Sequence, residues 1–189
     1  DRKLSGVRLV ISDAHAGLRA AIRRVFQGAA WQRCRVHAMR NLQAKARHHQ
    51  RPMSAALIRT IFAQPDAATA TAQLRAVVDQ LRDPAPDVAE LLENMETDVL
   101  AYTAFPDAHW SKIWSNNPIE RLNRELKRRT DVVQIFPNTE SVIRLVGALL
   151  VEVNDEMIAA ERRYIAAASV ATVLNDNNQL PSLPAAPRT

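Results

Sequence analysis

The chain has 189 residues, of which 47% are hydrophobic, and it carries a formal net charge of +5. This length predicts one ordinary domain, or one domain with an insertion, and the apolar content argues against wholesale disorder. A single cysteine excludes an internal disulfide framework and fits a reducing compartment. No apolar run reaches about 18 residues, so no membrane span is expected. The basic balance favours a polyanionic partner, either nucleic acid or an anionic membrane surface.

The first fifty residues predict a strand, an acidic turn, a helix and a second strand. Residues 7–11 form a β-branched apolar run, and residues 17–27 carry apolar side chains at helical spacing. Asp13 follows the first strand at its carboxyl end, where open α/β sheets bind ligands. Capping of the helix through the turn is the ordinary explanation for an aspartate there. Residues 31–36 alternate as a second strand, and His37 opens a basic helix that continues to His49.

Cys34 and His37 have the CxxH spacing found in some zinc sites, and His48 and His49 follow them. Two further ligands at suitable spacing are missing. A partly buried cysteine beside a hydrogen-bonded histidine therefore explains the pair better than zinc.

Residues 52–105 have a different character, because they are rich in Ala and Leu and contain no glycine. We predict three helices, at about 54–63, 67–81 and 87–102, separated by Pro65 and by the turn at 84–86. Their apolar positions suit a small helical bundle, and they carry no recognisable chemistry.

The stretch from Trp114 to Pro137 predicts a cationic helix that ends near Thr130. Asn117 is the predicted N-cap, and Glu120 falls in the first turn. Glu120 either closes a capping box above a solvated basic face, or is a metal ligand within a phosphate-binding surface. Glu125 is a rival carboxylate that points to another side of the helix, where Arg121 or Arg129 could pair with it.

After this helix, residues 132–136 predict a strand or extended segment, and residues 139–164 predict a long helix whose acidic run is a solvated face. The Pro- and Asn-rich stretch beyond Leu174 predicts a flexible tail. We therefore divide the chain into residues 1–50, a helical insertion at 51–108, a third part at 109–170 and a tail at 171–189.

Four stretches together resemble the Mutator-type transposases of bacterial insertion sequences. They are GVRLVISDAHAGL (6–18), WQRCRVHAMRN (31–41), NNPIERLNRELKRRTDVVQIFPN (116–138) and the long helix that follows. The resemblance implies an α/β fold, mostly α by content. Residues 1–50 and 109–170 of the chain would then belong to a partial ribonuclease H-like catalytic core whose N-terminal strands are missing. Residues 51–108 would form the helical insertion.

The resemblance also implies a metal-binding Asp-Asp-Glu (DDE) triad, in which Asp13 matches the second Asp and Glu120 matches the Glu. The first Asp is expected on an upstream strand, so the chain is expected to be an inactive C-terminal part of an enzyme. Two Mg²⁺ or Mn²⁺ ions would serve cleavage and strand transfer at phosphorus. Cys34 and His37 match the family's Cys-x-x-His pair, as support of the site or in direct contact with DNA.

The ERLNRELKRR signature supplies the implied DNA-binding side chains, which are Arg121, Asn123, Arg124, Lys127, Arg128 and Arg129. The implied partners are insertion-sequence ends and target DNA, within a homo-oligomeric complex and without a membrane. The implied location is the bacterial cytoplasm, at the nucleoid when the enzyme acts. The alternative is a non-catalytic DNA-binding or assembly module, in which the carboxylates cap helices and the basic faces hold nucleic acid.

Overall fold

The computed structural model describes residues 4–161 and 163–175. The chain divides into two units, residues 1–115 with 171–189, and residues 116–170. The first unit holds a small parallel sheet and a helical bundle, and the second holds two long helices. The described part is mostly helical with a two-stranded sheet, which confirms the predicted α/β class at that level. The ribonuclease H-like core remains a prediction.

The N-terminal region is a β-α-β unit, as the sequence predicts. Strand β1 (Leu9–Ser12) pairs in parallel with β2 (Ala30–Arg33), and the register runs from Leu9 opposite Ala30 to Ser12 opposite Arg33. Parallel strands need a crossover, which helix α1 (Ala16–Val25) supplies. Gly28 has a φ of +82° in the turn back into β2, a conformation that glycine adopts at little cost. Both strand ends with functional interest, at Ser12 and Arg33, therefore lie at one edge of the sheet.

Helix α2 (Arg35–Lys45) begins two residues before the predicted start at His37, and the second strand ends correspondingly early. The Cys34 amide still donates to the Ser12 carbonyl at 2.8 Å, whereas the Cys34 carbonyl already accepts from Ala38 at 2.9 Å. Cys34 is therefore the junction between sheet and helix, which alternation of side chains does not reveal. The predicted helix also ends early, and a 3₁₀ turn at His48–Gln50 follows it.

The helical insertion is a bundle of α3 (Arg51–Ile61), α4 (Ala67–Leu81) and α5 (Pro86–Glu93), followed by α6 (Glu96–Val99), a 3₁₀ turn (Ala101–Ala104) and α7 (Asp107–Ile113). The first two helices agree with the prediction. The third is wrong as a continuous helix over 87–102, since it breaks after Glu93, and α7 was not predicted. The main core lies in this bundle and reaches α2, with its largest buried side chains at Leu42, Ile58, Ile61, Leu74, Leu81, Leu92, Met95 and Tyr102.

The second unit consists of α8 (Asn117–Val133) and α9 (Thr139–Ala159), which pack against each other. The predicted strand at 132–136 is wrong. Val132 and Val133 complete α8, and Gln134, at φ +62°, ends the helix. The Gln134 amide donates to Thr130, so backbone hydrogen bonding continues the helix past two β-branched residues of low helix propensity. Helix α9 is five residues shorter than predicted and is capped by Asn138, whose side chain accepts from the Ser141 amide at 2.9 Å.

Residues 167–175 form a further helix, α10 (Ala167–Asn175), which the sequence did not predict. Of the predicted tail, residues 176–189 lie outside the described residues. Within the described ranges, no helix combines the length and apolar character required to cross a bilayer.

Candidate functional site

Asp13 lies directly after β1 and is half-buried. Its Oδ1 accepts a hydrogen bond from the neighbouring Ala14 amide at 2.7 Å. The N-cap of α1 is His15, whose Nδ1 accepts from the Leu18 amide at 3.4 Å. Asp13 therefore does not cap the helix, and the ordinary explanation for an aspartate at this position is wrong. Its carboxylate keeps acceptor capacity for a ligand at the carboxyl end of the strand.

Buried hydrogen bonds fix the end of β1. The Ser12 hydroxyl accepts from Trp31 Nε1 at 2.8 Å and donates to the Asp13 carbonyl at 2.9 Å. Ser12 and Trp31 are both buried. These bonds hold the backbone of Asp13 against β2, which restricts where its carboxylate can lie. Sequence reasoning missed this role of Ser12 and Trp31, because the contact joins two strands 19 residues apart.

Cys34 is wholly buried, with 0% of its surface exposed, and His37 follows one turn along α2, half-buried. The backbone hydrogen bond from the Cys34 amide to the Ser12 carbonyl places Cys34 next to the strand end that carries Asp13. For Cys34, burial favours support of the site over direct contact with DNA. Among the described residues, no three His, Cys, Asp or Glu side chains form a metal-binding group, so the zinc hypothesis gains no support.

Glu120 is the fourth residue of α8, because the N-cap is Asn116 and not the predicted Asn117. The Glu120 amide donates to the Asn116 carbonyl at 3.1 Å, and the Asn116 side chain makes no capping bond. A capping box needs the acidic residue at the third helical position, which Ile119 occupies. The capping-box explanation for Glu120 is therefore wrong. Glu120 is half-buried, whereas the cations beside it are exposed.

Glu125, the rival carboxylate, is bound by two arginines. Its Oε1 lies 2.7 Å from Arg128 and 2.8 Å from Arg129, so the predicted pairing with Arg129 is confirmed and Arg121 is not its partner. Hydrogen bonds from both guanidinium groups lower the pKa of Glu125 to about 2. A carboxylate held in this way has less acceptor capacity for a metal ion, which argues against Glu125 as a metal ligand.

The basic face of α8 consists of exposed side chains around Glu120. On helical spacing, Asn123, Arg124 and Lys127 lie on or beside the Glu120 side, and Arg121 borders it. All four are exposed. Arg128 and Arg129 are exposed as well, but both bind Glu125. The apolar stripe of the helix, with Leu122 and Leu126 half-buried, lies on another side, so the basic face is not needed for packing within this unit.

An aromatic cluster that the sequence did not reveal packs around Trp114, just after α7. The Arg35 guanidinium lies 3.7 Å from the ring centre of Trp114 and 5.3 Å from that of Phe62. Tyr102 meets Trp110 and Trp114 edge-on, and the Arg35 amide donates to the Trp114 carbonyl at 2.9 Å. Burial lowers the pKa of Arg35. Arg35 is therefore a packing residue at the start of α2, although its position in a basic run is typical of a phosphate contact.

Asp13 thus lies in the first unit and Glu120 in the second, each with its capping explanation removed. Their convergence on shared metal ions stays a prediction. A family model described as "Transposase, Mutator family" matches residues 1–160. The chain belongs to this family of transposases.

The chain is 56% identical over 164 residues to the transposase for insertion sequence element IS1081 of Mycobacterium tuberculosis, which covers 87% of this chain and 39% of that protein. It is 42% identical to the transposase for IS406 of Burkholderia multivorans, over 85% of this chain and 42% of that protein. It is 39% identical to the transposase for IS256 in transposon Tn4001 of Staphylococcus aureus, over 87% of this chain and 43% of that protein. The chain spans about two-fifths of the length of these curated relatives.

Proposed function

We propose that this chain is the C-terminal part of a DDE transposase that cleaves DNA strands and transfers them to target DNA when an insertion sequence moves. The observation that carries the proposal is Asp13, a carboxylate at the carboxyl end of a parallel strand with no capping role. Membership of the Mutator family, with close relatives named as transposases, supports the reaction class. The fold we propose for the complete enzyme is ribonuclease H-like.

In this proposal Asp13 and Glu120 are metal ligands. Carboxylate oxygens are the ligands that Mg²⁺ and Mn²⁺ prefer, and Mg²⁺ binds through one or two carboxylates while keeping several waters. Bound divalent ions would supply charge stabilisation to the attacking and leaving oxygens at phosphorus. Asp13 is positioned by the Ser12–Trp31 bond, and Glu120 by the first turn of α8. A third carboxylate would come from residues outside this chain, so the isolated chain should bind metal weakly and not cleave DNA.

The DNA backbone would bind to the basic face of α8. Arg121, Arg124 and Lys127 are exposed cations on one helix, and such groups bind phosphates regardless of sequence. Asn123 can donate to a phosphate or sugar oxygen beside them. The proposed partners are the ends of the insertion sequence and the target DNA, in a homo-oligomeric complex at the bacterial nucleoid.

Strand cleavage by a chimera tests the proposal. This chain replaces the matching part of the Mycobacterium tuberculosis transposase for IS1081, and cleavage of duplexes carrying that element's ends is measured with Mg²⁺. The Asp13→Asn and Glu120→Gln variants should each lose cleavage by about a hundredfold or more, because each removes a metal ligand at the reacting phosphorus. The matched control is Asp131→Asn, an exposed carboxylate later in α8, which should cleave like the unmodified chimera.

DNA binding by the same variants separates the proposed enzyme from a non-catalytic module. Both variants should bind DNA at least as tightly as the unmodified chimera, since they remove negative charge. Undiminished cleavage in either variant would remove that residue from the site. Loss of cleavage in Glu125→Gln but not in Glu120→Gln would assign the metal-ligand role to Glu125 and remove it from Glu120. A chimera that binds the element ends and cannot cut them, beside an active parent enzyme, would favour the DNA-binding module.

A further inference from the structure

A second cationic cluster lies in the first unit, away from α8 in sequence and unused by the proposed metal site. Arg19 and Arg23 are one turn apart on α1, and Arg33 is the last residue of β2. The Arg19 guanidinium lies 4.4 Å from the ring centre of Trp31. Trp31 and Arg33 are two residues apart on one strand, so they share a face of the sheet. The three arginines therefore converge over the same face.

Asp98 is the acidic residue of this cluster. It forms an ion pair with Arg19 at 3.0 Å, and 14% of its side chain is exposed. Burial raises the pKa of Asp98, and the charges of Arg19, Arg33 and Arg23 act against that rise. Three guanidinium groups thus surround one carboxylate. No ion pair to Arg23 or Arg33 occurs within the described ranges, so the positive charge of the cluster is largely unmatched.

Apart from the bond from Arg19 to Asp98, part of the hydrogen-bonding capacity of the cluster is also unused. The Nε atoms of Arg19, Arg23 and Arg33 are all buried, and none has a hydrogen-bond partner in the described part of the chain. A buried guanidinium N–H without an acceptor is costly. Planar guanidinium groups match phosphate oxygens in geometry and bind them through paired N–H donors. The terminal N–H groups of Arg23 and Arg33 form no ion pair in the described residues, so they can donate to an anion with several oxygens.

We propose that Arg19, Arg23 and Arg33 form a phosphate-binding site that holds a phosphodiester of the DNA backbone. The identification of the anion as DNA rests on the proposed function, whereas the site itself rests on the cluster. Arg33 ends the strand opposite Ser12, so the site borders the sheet edge that carries Asp13. This site would give the first unit a DNA contact of its own, in addition to the basic face of α8.

The affinity of the full 189-residue chain for duplex DNA, measured at several salt concentrations, tests this site. The Arg23→Gln and Arg33→Gln variants should each weaken binding about fivefold or more and reduce the slope of log affinity against log salt by about 0.9, the value for one phosphate contact. The matched control is Arg24→Gln, which removes the same charge from an exposed position on the same helix. It should change affinity less than twofold and leave the slope unchanged.

Thermal unfolding of the same variants distinguishes binding from packing. Removal of Arg23 or Arg33 should leave the Tm unchanged or raise it, since each places a buried Nε without a hydrogen-bond partner beside two like charges. A lowered Tm with unchanged DNA affinity would assign the arginines to packing and overturn the site. If Arg24→Gln weakens DNA binding as much as the other two variants, the effect is one of overall charge, and the proposed site is also overturned.

NMR of the unmodified chain tests the site without any variant. The Nε–H signals of the three arginines should shift on addition of inorganic phosphate and again on addition of duplex DNA at equal ionic strength. Shifts with phosphate alone would make this a small-anion site and overturn its assignment to DNA, and no shift with either would overturn the site. Cleavage by the Asp13→Asn and Glu120→Gln variants tests the proposed enzyme, whereas DNA affinity of the arginine variants tests this site, so the two proposals can fail separately.

Discussion

Single residues of α8 with the same formal charge differ in what they can bind. Glu125 is held by Arg128 and Arg129, and those bonds lower its pKa to about 2, whereas Glu120, five residues earlier, lies on the side of exposed cations. Arg128 and Arg129 in turn are partly neutralised by Glu125. The ion-paired trio therefore stabilises the helix locally.

The titration of Glu125 tests this division. Because its pKa is depressed in the folded protein, the ion pairs stabilise the fold above the ordinary pKa, near 4.5, and this stabilisation is lost as the pH falls towards about 2. A carboxyl ¹³C NMR titration should give a midpoint near 2. In the double variant Arg128→Gln, Arg129→Gln the midpoint should return towards the ordinary value, and high salt should move it the same way, since the group is 41% exposed. A midpoint near 4.5 in the unmodified chain would contradict the pairing.

Among the elements, β2 joins the sheet to the helical insertion through one buried amide. Gln32 is 0% exposed, and its Nε2 donates to the Arg33 carbonyl at 2.7 Å and to the Val99 carbonyl at 2.9 Å. Its Oε1 accepts from the Tyr102 amide at 2.8 Å. Val99 and Tyr102 lie where the predicted helix over 87–102 breaks up. The side chain of Gln32 thus satisfies backbone groups that a continuous helix would have paired.

Replacement of Gln32 by leucine should lower the free energy of unfolding by about 2–5 kcal/mol, because it leaves buried N–H and C=O groups unpaired at about 1–3 kcal/mol each. The matched control is Gln43→Leu on α2, where the buried Nε2 has no hydrogen-bond partner in the described residues. That variant should change stability little or raise it. Urea unfolding of the two variants measures the difference. Equal effects would mean that the Gln32 bonds contribute nothing specific.

Local signals account for most of the elements that the sequence predicted. Both strands, α1 and α4 follow from apolar periodicity and turn residues, whose information lies within a few positions. The end of α6 at Val99 is bonded to Gln32, 67 residues away in the chain, so no local pattern carries this contact. The β-branched residues at 132–136 predict a strand or extended segment, but the Gln134 amide bonds the Thr130 carbonyl and Val132 and Val133 are helical.

The sequence proposes Asp13 and Glu120 as site residues, but it does not reveal their local hydrogen bonding. Asp13 and Glu120 each have a capping alternative that the sequence cannot reject, because a difference of one or two residues in the position of the N-cap decides it. His15 and Asn116 are the actual N-caps. The cluster of Arg19, Arg23 and Arg33 was not predicted, because its members lie on a helix and a strand and come together around Asp98 only in the folded chain.

For the whole molecule, the central claim is that Asp13 and Glu120, more than a hundred residues apart in sequence, bind the same metal ions. The most direct test is paramagnetic broadening by Mn²⁺ of their two carboxyl ¹³C signals in the 189-residue chain. We predict that both signals broaden in parallel, because both carboxylates would be ligands of the same bound ions. The Asp13→Asn variant should also weaken the broadening at Glu120. Broadening at only one carboxylate, or broadening at Glu120 that is unchanged in Asp13→Asn, would contradict the shared metal site.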